Sequence, residues 1–382
     1  MNLLGKEAVR REYYMNLLDS NTSSFKKGKA KNIALLGSRK SGKTSIVKEH
    51  LKNAKDVVTA YIDFGKISLN PENFAVEFIG NILFHFLKRP QKEYRNFLLL
   101  ENIVKFESEL GKNSFSLIKT IENELLKIKP NQRLVVESAF KFADWLAKEK
   151  SKKLLIALDD FENILDLNNF SQIKDVLSVI NFDSENVSYI ATSSAVKESL
   201  ALLKKFECYE IKNLEKNEAI GLIESITGKA EKGVVDDIFK LSSGHPFVIS
   251  LISKKYNETK NVKRAFLIEL LQKNNALHSY CNDSLGYYYN RARGQTLLKT
   301  ILRVIANEEL RLTDISKKIY RSAPVAKSIL DRLMQTDVIY KKDNKFCFSD
   351  KTLQLWLKLI SHGYEFDEVP TDKILDEVAK EI

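Results

Sequence analysis

Gly37-Ser38-Arg39-Lys40-Ser41-Gly42-Lys43-Thr44-Ser45 follows the apolar run Asn32-Ile33-Ala34-Leu35-Leu36 and leads into Ile46-Val47-Lys48-Glu49-His50-Leu51. The run stops at a glycine, which predicts a short buried strand. Beyond the turn, Ile46, Val47 and Leu51 recur on one side, which predicts a helix. Strand, glycine turn and helix are the setting in which GxxxxGK[ST] cradles phosphate. Backbone N–H groups of such a loop point inward as an anion nest, and the helix N-terminus adds partial positive charge. Gly42 lets the backbone approach phosphate with no side chain between. Lys43 can reach the β- and γ-phosphates, and the Thr44 hydroxyl can ligate Mg²⁺. A triphosphate among Arg39, Lys40 and Lys43 would explain the crowding of like charge, with Gly37 through Ser45 as its expected contacts. In the alternative, Arg39 and Lys40 face solvent on the outer side of the loop.

Such a loop needs a metal-holding acid on a neighbouring strand. Lys153-Leu154-Leu155-Ile156-Ala157-Leu158-Asp159-Asp160 is apolar without alternation, which predicts a central parallel strand buried on both faces. Its paired carboxylates fall at the C-terminal end, the edge where open α/β sheets bind ligands. Asp159 is expected to serve Mg²⁺, and Asp160 to orient or deprotonate the attacking water. Glu162 is a weaker candidate for the second role. Alternatively, Asp160 caps a helix from Phe161 to Leu165.

Between these motifs, Val57 to Phe64 reads as another strand, and Pro71 to Arg89 as a helix. Residues 90–150 read as long amphipathic helices, among them Leu117–Ile128 and Val135–Lys148. A fourth strand, Val187 to Thr192, ends in Ser193-Ser194, where Ser193 either senses the γ-phosphate or is a turn hydroxyl. A fifth runs from Cys208 to Ile211. Alternating strands and helices predict a three-layer α/β domain with a parallel sheet over roughly residues 31–212.

Bulk composition agrees. The chain has 382 residues, of which 44% are hydrophobic. That length suits about two or three domains with real cores and argues against wholesale disorder. No apolar run reaches the roughly 18 residues of a membrane-span candidate, and the N-terminus carries no signal-peptide pattern. Cys208, Cys281 and Cys347 are scattered, with no zinc spacing and no disulfide framework. These features predict a cytoplasmic protein with no membrane partner, in which any metal arrives with a substrate. The formal net charge of +11 suits a polyanionic partner.

The phosphate loop, the LLIALDD strand and the TSS strand end together resemble the archaeal ATPase family in the STAND branch of the AAA+ P-loop ATPases. Leu214-Glu215-Lys216-Asn217-Glu218-Ala219 is similar to the element that opens that family's helical lid, and Gly244-His245-Pro246 lies in the next lid helices. Leu3-Leu4-Gly5-Lys6-Glu7 resembles a box near the nucleotide base, with Lys6 where arginine is usual. Asp350 to Trp356-Leu357 resembles the closing Asp…Trp-Leu pattern. The resemblance implies that nucleotide lies between the α/β domain and the lid. Gly5 and Lys6 would lie near the base, and Pro246 would pack on base or ribose; Pro246 also suits the first turn of a helix. Asp160 stands where glutamate is frequent, and its shorter reach implies slow hydrolysis. No arginine follows Thr192-Ser193-Ser194, so no arginine finger is named.

Residues 295–360 read as a winged helix-turn-helix. Gln295–Ala306 is amphipathic, and a short helix opens at Leu312 with Thr313 as its cap. A third helix runs from Ser322 to Thr336 with Val325, Ile329, Leu330 and Leu333 inward. Val338-Ile339-Tyr340 and Phe346-Cys347-Phe348 flank a lysine-rich turn, which predicts a hairpin. On the third helix, Arg321, Lys327, Ser328 and Arg332 are candidates for the groove of duplex DNA, with Asp331 an unfavourable neighbour. At the wing tip, Lys341, Lys342 and Lys345 would meet phosphate. In the alternative, the module docks protein.

The expected organisation is an ATPase domain over 1–212, a helical lid over 213–290, a winged helix over 291–365, and an acidic tail over 366–382 that folds back or stays solvated. The expected function is a slow ATP·Mg²⁺-driven switch that binds DNA. The alternative is a nucleotide-gated assembly scaffold that recruits protein or copies of itself.

Overall fold

The computed structural model describes residues 12–29, 31–293 and 296–381. Its first half comprises α1 (Glu12–Lys26), β1 (Asn32–Leu36), α2 (Lys43–Asn53), β2 (Val58–Asp63), α3 (Pro71–Phe86), α4 (Leu100–Ile103), α5 (Lys112–Leu125), α6 (Gln132–Glu149), β3 (Leu154–Asp159), β4 (Val187–Ser193), α7 (Val196–Leu202) and β5 (Phe206–Glu210). The strands form one sheet in the order β2-β3-β4-β1-β5, with every pairing parallel. Thus β4 passes between the phosphate-loop strand and the acidic strand. Its C-terminal end stands next to both.

Strand alternation divides the apolar residues between two cores. Ala34, Leu36, Ile156, Leu158 and Ala191 face a core with α3 and α6, while Ile33, Leu35, Leu155, Ala157 and Ile190 face Leu18 of α1 and Ile46, Val47 and Leu51 of α2. The first core is rich in aromatics, with Phe78 and Phe140 ring centroids 4.5 Å apart. Such a pair adds about 0.5–1.5 kcal/mol beyond its buried area.

The expectation of long helices throughout 90–150 is corrected in its first part. Residues 91–109 form 3₁₀ turns around the one-turn α4. Pro90 lacks an N–H and restricts Arg89, so α3 does not continue.

The second half comprises α8 (Lys216–Thr227), α9 (Lys232–Ser242), α10 (Pro246–Thr259), α11 (Val262–Leu271), α12 (Ala276–Arg291), α13 (Thr296–Asn307), β6 (Leu310–Arg311), α14 (Leu312–Lys318), α15 (Ala323–Gln335), β7 (Ile339–Lys342), β8 (Lys345–Phe348), α16 (Lys351–Ser361) and α17 (Asp372–Val378). From α13 to β8, three helices and a small antiparallel sheet ordered β6-β8-β7 reproduce the expected element order. Asp343 and Asn344 both have positive φ, as a tight hairpin turn demands. Two local expectations are corrected. Thr313 lies inside the first turn of α14, with Arg311 at the cap position. Val325 is 42% exposed, and Ala326 takes the buried place beside Ile329 and Leu330.

A single core runs from Leu214 to Val378. The limits expected at 290/291 and 365/366 therefore fall inside one packed body. The acidic tail folds back: Leu375 and Val378 are buried, and Asp372 and Asp376 pair with Arg264 of α11. Among the described residues, no helix is long and apolar enough to cross a membrane.

Candidate functional site

The turn after β1 is built around two glycines. A Cβ on Gly37 would lie 2.5 Å from the Ile211 carbonyl oxygen, so the close passage of the chain after β5 requires glycine there. Gly42 has φ of 100°, and a Cβ on it would project into open space. That open space lies at the N-terminus of α2, where an anion is favoured.

Lys43 is buried with 4% exposure. Its Nζ donates to the carbonyls of Gly37 at 2.8 Å and Ser38 at 2.7 Å, and to Ser194 Oγ at 3.2 Å. Burial pushes its pKa down to about 8, against the opposing pull of Glu162, Asp160 and Asp159. An ammonium held this way by neutral acceptors is poised to gain from an added anion.

Thr44 Oγ1 donates to both Asp159 carboxylate oxygens at 3.0 Å. Tyr61 of β2 donates to Asp159 Oδ2 at 2.5 Å, and Thr192 of β4 donates to Oδ1. Asp159 is thereby held in place by three hydroxyls. Among the described residues, no cluster of three or more His, Cys, Asp or Glu could hold a metal unaided. One carboxylate beside one hydroxyl fits Mg²⁺, which takes few protein ligands and draws the rest from phosphate and water. Ser41 Oγ is buried without a partner, as a loop awaiting an anion would leave it.

Asp160 adopts left-handed φ/ψ of 50° and 45°, and its side chain makes no cap bond to the 3₁₀ helix that follows. The capping alternative thus lacks its hydrogen bond. Burial first, then Glu162, Asp159 and Asp63, raise its pKa to about 6. Such a carboxyl is well matched to general-base work near neutrality.

Ser193 does not face the site, contrary to the sensing role expected of it. Its Oγ accepts from Ala195 N at 3.1 Å and from Ser199 Oγ at 2.6 Å, both toward α7. Side chains alternate along a strand, so its neighbours Thr192 and Ser194 reach Asp159 and Lys43 instead.

The lid covers the loop. His245 Nε2 donates to the Arg39 carbonyl at 3.0 Å, and Pro246 occupies the first turn of α10, buried. Arg39 does not point to open solvent: its guanidinium lies 4.7 Å from the centroid of the Tyr287 ring on α12. Lys40 Nζ lies 5.7 Å from the Phe247 ring. Tyr287 Oη donates to Glu162 Oε1 at 2.8 Å, and Ser194 N donates to the same oxygen at 3.0 Å. Ser38 lends only its carbonyl to Lys43, and Ser45 lies within the first turn of α2. Gly5 and Lys6 lie outside the described residues.

Of the DNA candidates, Lys327 is exposed on α15, and Lys341, Lys342 and Lys345 are exposed on the wing. Arg332 is not available in this arrangement. Its Nη1 donates to the carbonyls of Ala292 at 3.2 Å and Arg293 at 2.8 Å, capping the end of α12.

Tyr61, Thr192, Ser194 and Tyr287 carry roles that the sequence reading did not give them. Strand alternation could have separated Ser194 from Ser193. Nothing local marks Tyr287, which is 125 residues from its partner.

No family model matches the chain, and no relative is found among curated proteins. Among solved structures, the chain is similar to the Walker-type ATPase PABY2304 of Pyrococcus abyssi. The TM-score is 0.62 at 17% identity, over 93% of this chain and 97% of that one. Weaker likenesses are to Drosophila ORC bound to DNA, with TM-score 0.44 at 10% identity over 91% and 87% of the two chains. A STAND protein with a tetratricopeptide repeat sensor, PH0952 from Pyrococcus horikoshii, gives 0.36 at 14% identity over 97% and 44%. The chain has the fold of a Walker-type P-loop ATPase, in keeping with the family resemblance of its motifs.

Proposed function

We propose that this protein binds ATP·Mg²⁺ between its sheet and its lid, hydrolyses it slowly, and passes the nucleotide state to a C-terminal winged helix that binds duplex DNA. The observation that carries the reading is the convergence of Lys43, Thr44, Asp159 and Ser194 at one sheet edge, beside an open cradle over Gly42. The loop amides and Lys43 neutralise the phosphates. Thr44 and Asp159 would hold Mg²⁺, which supplies charge neutralisation at the bridging oxygens. Asp160 orients the attacking water and takes its proton, and Ser194 rather than Ser193 touches the phosphate end. Pro246 lies on the lid side where base or ribose would pack.

Support for the DNA output is electrostatic. Lys342 and Lys345 are opposite each other across the hairpin, with Lys341 beside them and Lys327 exposed on α15. Cations so placed displace counterions from a phosphate backbone. A titration with ATP, followed by duplex DNA retention at rising salt, tests both halves. Changing Lys341, Lys342 and Lys345 together to Glu should reduce the slope of log affinity against log salt by about 2–3. Unchanged retention rejects the DNA reading.

One observation favours a second reading, in which the module docks protein or another copy of the chain. Tyr320 is 88% exposed and Val325 42% exposed around the start of α15. That reading predicts ATP-dependent assembly without nucleic acid; a monomer with and without ATP, by light scattering, counts against it and rejects self-assembly.

A further inference from the structure

We infer that Glu162 and Tyr287 form a latch by which the phosphate end of the site controls the lid, Glu162 being a positioning residue and Tyr287 its partner on α12. The inference rests on the nucleotide reading above and specifies how that site is regulated.

Glu162 is 1% exposed, and its Oε1 accepts from both Ser194 N and Tyr287 Oη. Its Oε2 is buried with no partner. A buried carboxylate with so few donors depends on nearby cations. Lys43 is one, since its Nζ donates to Ser194 Oγ while the amide of the same Ser194 donates to Glu162. Arg291 is another: it pairs with Glu198 of α7 and lies 5.6 Å from the Tyr287 ring centroid, the same ring that Arg39 approaches. Among the described ties between the lid and the sheet, the Tyr287 hydroxyl is the one held by a carboxylate that sits beside the phosphate-binding lysine.

A phosphate at this end changes both sides of that balance. Lys43, now 3.2 Å from Ser194 Oγ, would turn its charge to the phosphate, and the incoming anion would repel Glu162. The carboxylate loses its reason to stay buried, and Tyr287 loses its acceptor. A diphosphate still engages Lys43 through its β-phosphate but leaves the Ser194 end clear, so it brings no anion up against Glu162. The latch thus distinguishes ATP from ADP and loosens α12 only for ATP. The end of α12 is capped by Arg332 of α15, so the same helix leads to the third helix of the C-terminal module.

Hydrogen exchange of the full chain, with ATP·Mg²⁺ or ADP·Mg²⁺ at saturation set by equilibrium titration, tests this. The α12 amides of the wild type should exchange about threefold or more faster with ATP than with ADP, the factor that one lost buried hydrogen bond allows. Tyr287→Phe keeps the ring and its cation contacts but drops the hydroxyl, so its α12 should exchange fast without nucleotide. Glu162→Gln keeps an acceptor and drops the charge, so its α12 should show no difference between ATP and ADP. A wild type that binds ATP in the titration yet exchanges equally with both nucleotides overturns the latch alone. So does a Glu162→Gln chain with the full difference, or a Tyr287→Phe chain that exchanges as the wild type. Absence of ATP binding by the wild type overturns the nucleotide reading and the latch with it.

Discussion

The amide of Lys197 donates to Asp337 Oδ2 at 3.0 Å, and its Nζ donates to the Met334 carbonyl at 2.9 Å. Lys197 lies in the first turn of α7, only a few residues after Ser194 at the phosphate site. Asp337 follows α15, so the strand end that faces Lys43 is tied to the helix proposed to enter DNA. The cleft between them is lined by Lys197, Asp331, Met334 and Gln335. The C-terminal part of α15 is thus turned toward the ATPase core rather than held out for a groove.

Loosening this contact should free the module. Lys197 is exposed, Asp337 is half-buried, and their ion pair is worth at most ~1 kcal/mol, so Lys197→Ala should tighten duplex DNA binding of the nucleotide-free chain by up to about fivefold. Fluorescence anisotropy with labelled duplex reads this directly. Equal or weaker binding would show that docking does not limit DNA access.

Lys43→Ala should weaken ATP binding by about 10²-fold, the worth of charge-assisted hydrogen bonds to phosphate. Calorimetric titration measures it. The fold should persist, because Lys43 spends its bonds on loop carbonyls and a neighbouring hydroxyl rather than on the core. Wild-type affinity in this variant would remove the site from the phosphate loop.

Asp160 has to be ionised to accept a proton, and its pKa is raised to about 6. Turnover should therefore fall as pH drops through about 6, and a neighbouring phosphate would shift that limb upward. Asp160→Asn should slow hydrolysis by about 10²-fold or more with ATP binding retained. A single-turnover pH profile decides the matter, and a variant as fast as the wild type excludes Asp160 as base.

His50 offers a stability test that does not depend on nucleotide. It is fully buried on α2, with Thr22 Oγ1 at 2.9 Å from Nε2 and Asp19 Oδ1 at 2.9 Å from Nδ1. Burial lowers its pKa although Asp19 opposes this. The unfolded chain then binds the proton first, near pH 6.5, so the contribution of His50 is complete above that pH and is lost as pH falls toward the folded value. Melting temperature should drop from pH 7 to pH 5, and His50→Gln should flatten that slope while costing about 1–3 kcal/mol at pH 7. An unaltered slope would assign the acid sensitivity to other groups.

The local elements of the site were legible because they are made by neighbours in the chain. Apolar runs ending in Gly37 and Asp159, and the period of Ile46, Val47 and Leu51, specify strand, loop and helix with no reference to distant residues. Alternation along β4 even contained the choice of Ser194 over Ser193, since Thr192 and Ser194 must share a face. The turns over 91–109 were less legible, because amphipathic spacing alone does not reveal where helices are interrupted.

By itself the amino-acid sequence determined the phosphate loop, the acidic strand, the parallel α/β class and the helical and hairpin pieces beyond them. Only the tertiary structure decided that Tyr287 meets Glu162, that Arg39 lies against the lid, that Arg332 caps α12, and that lid, C-terminal module and tail share one core. The reason is physical. Backbone periodicity and turn chemistry act over a few residues, whereas contacts between residues a hundred positions apart depend on how completed elements pack, and no local pattern records that.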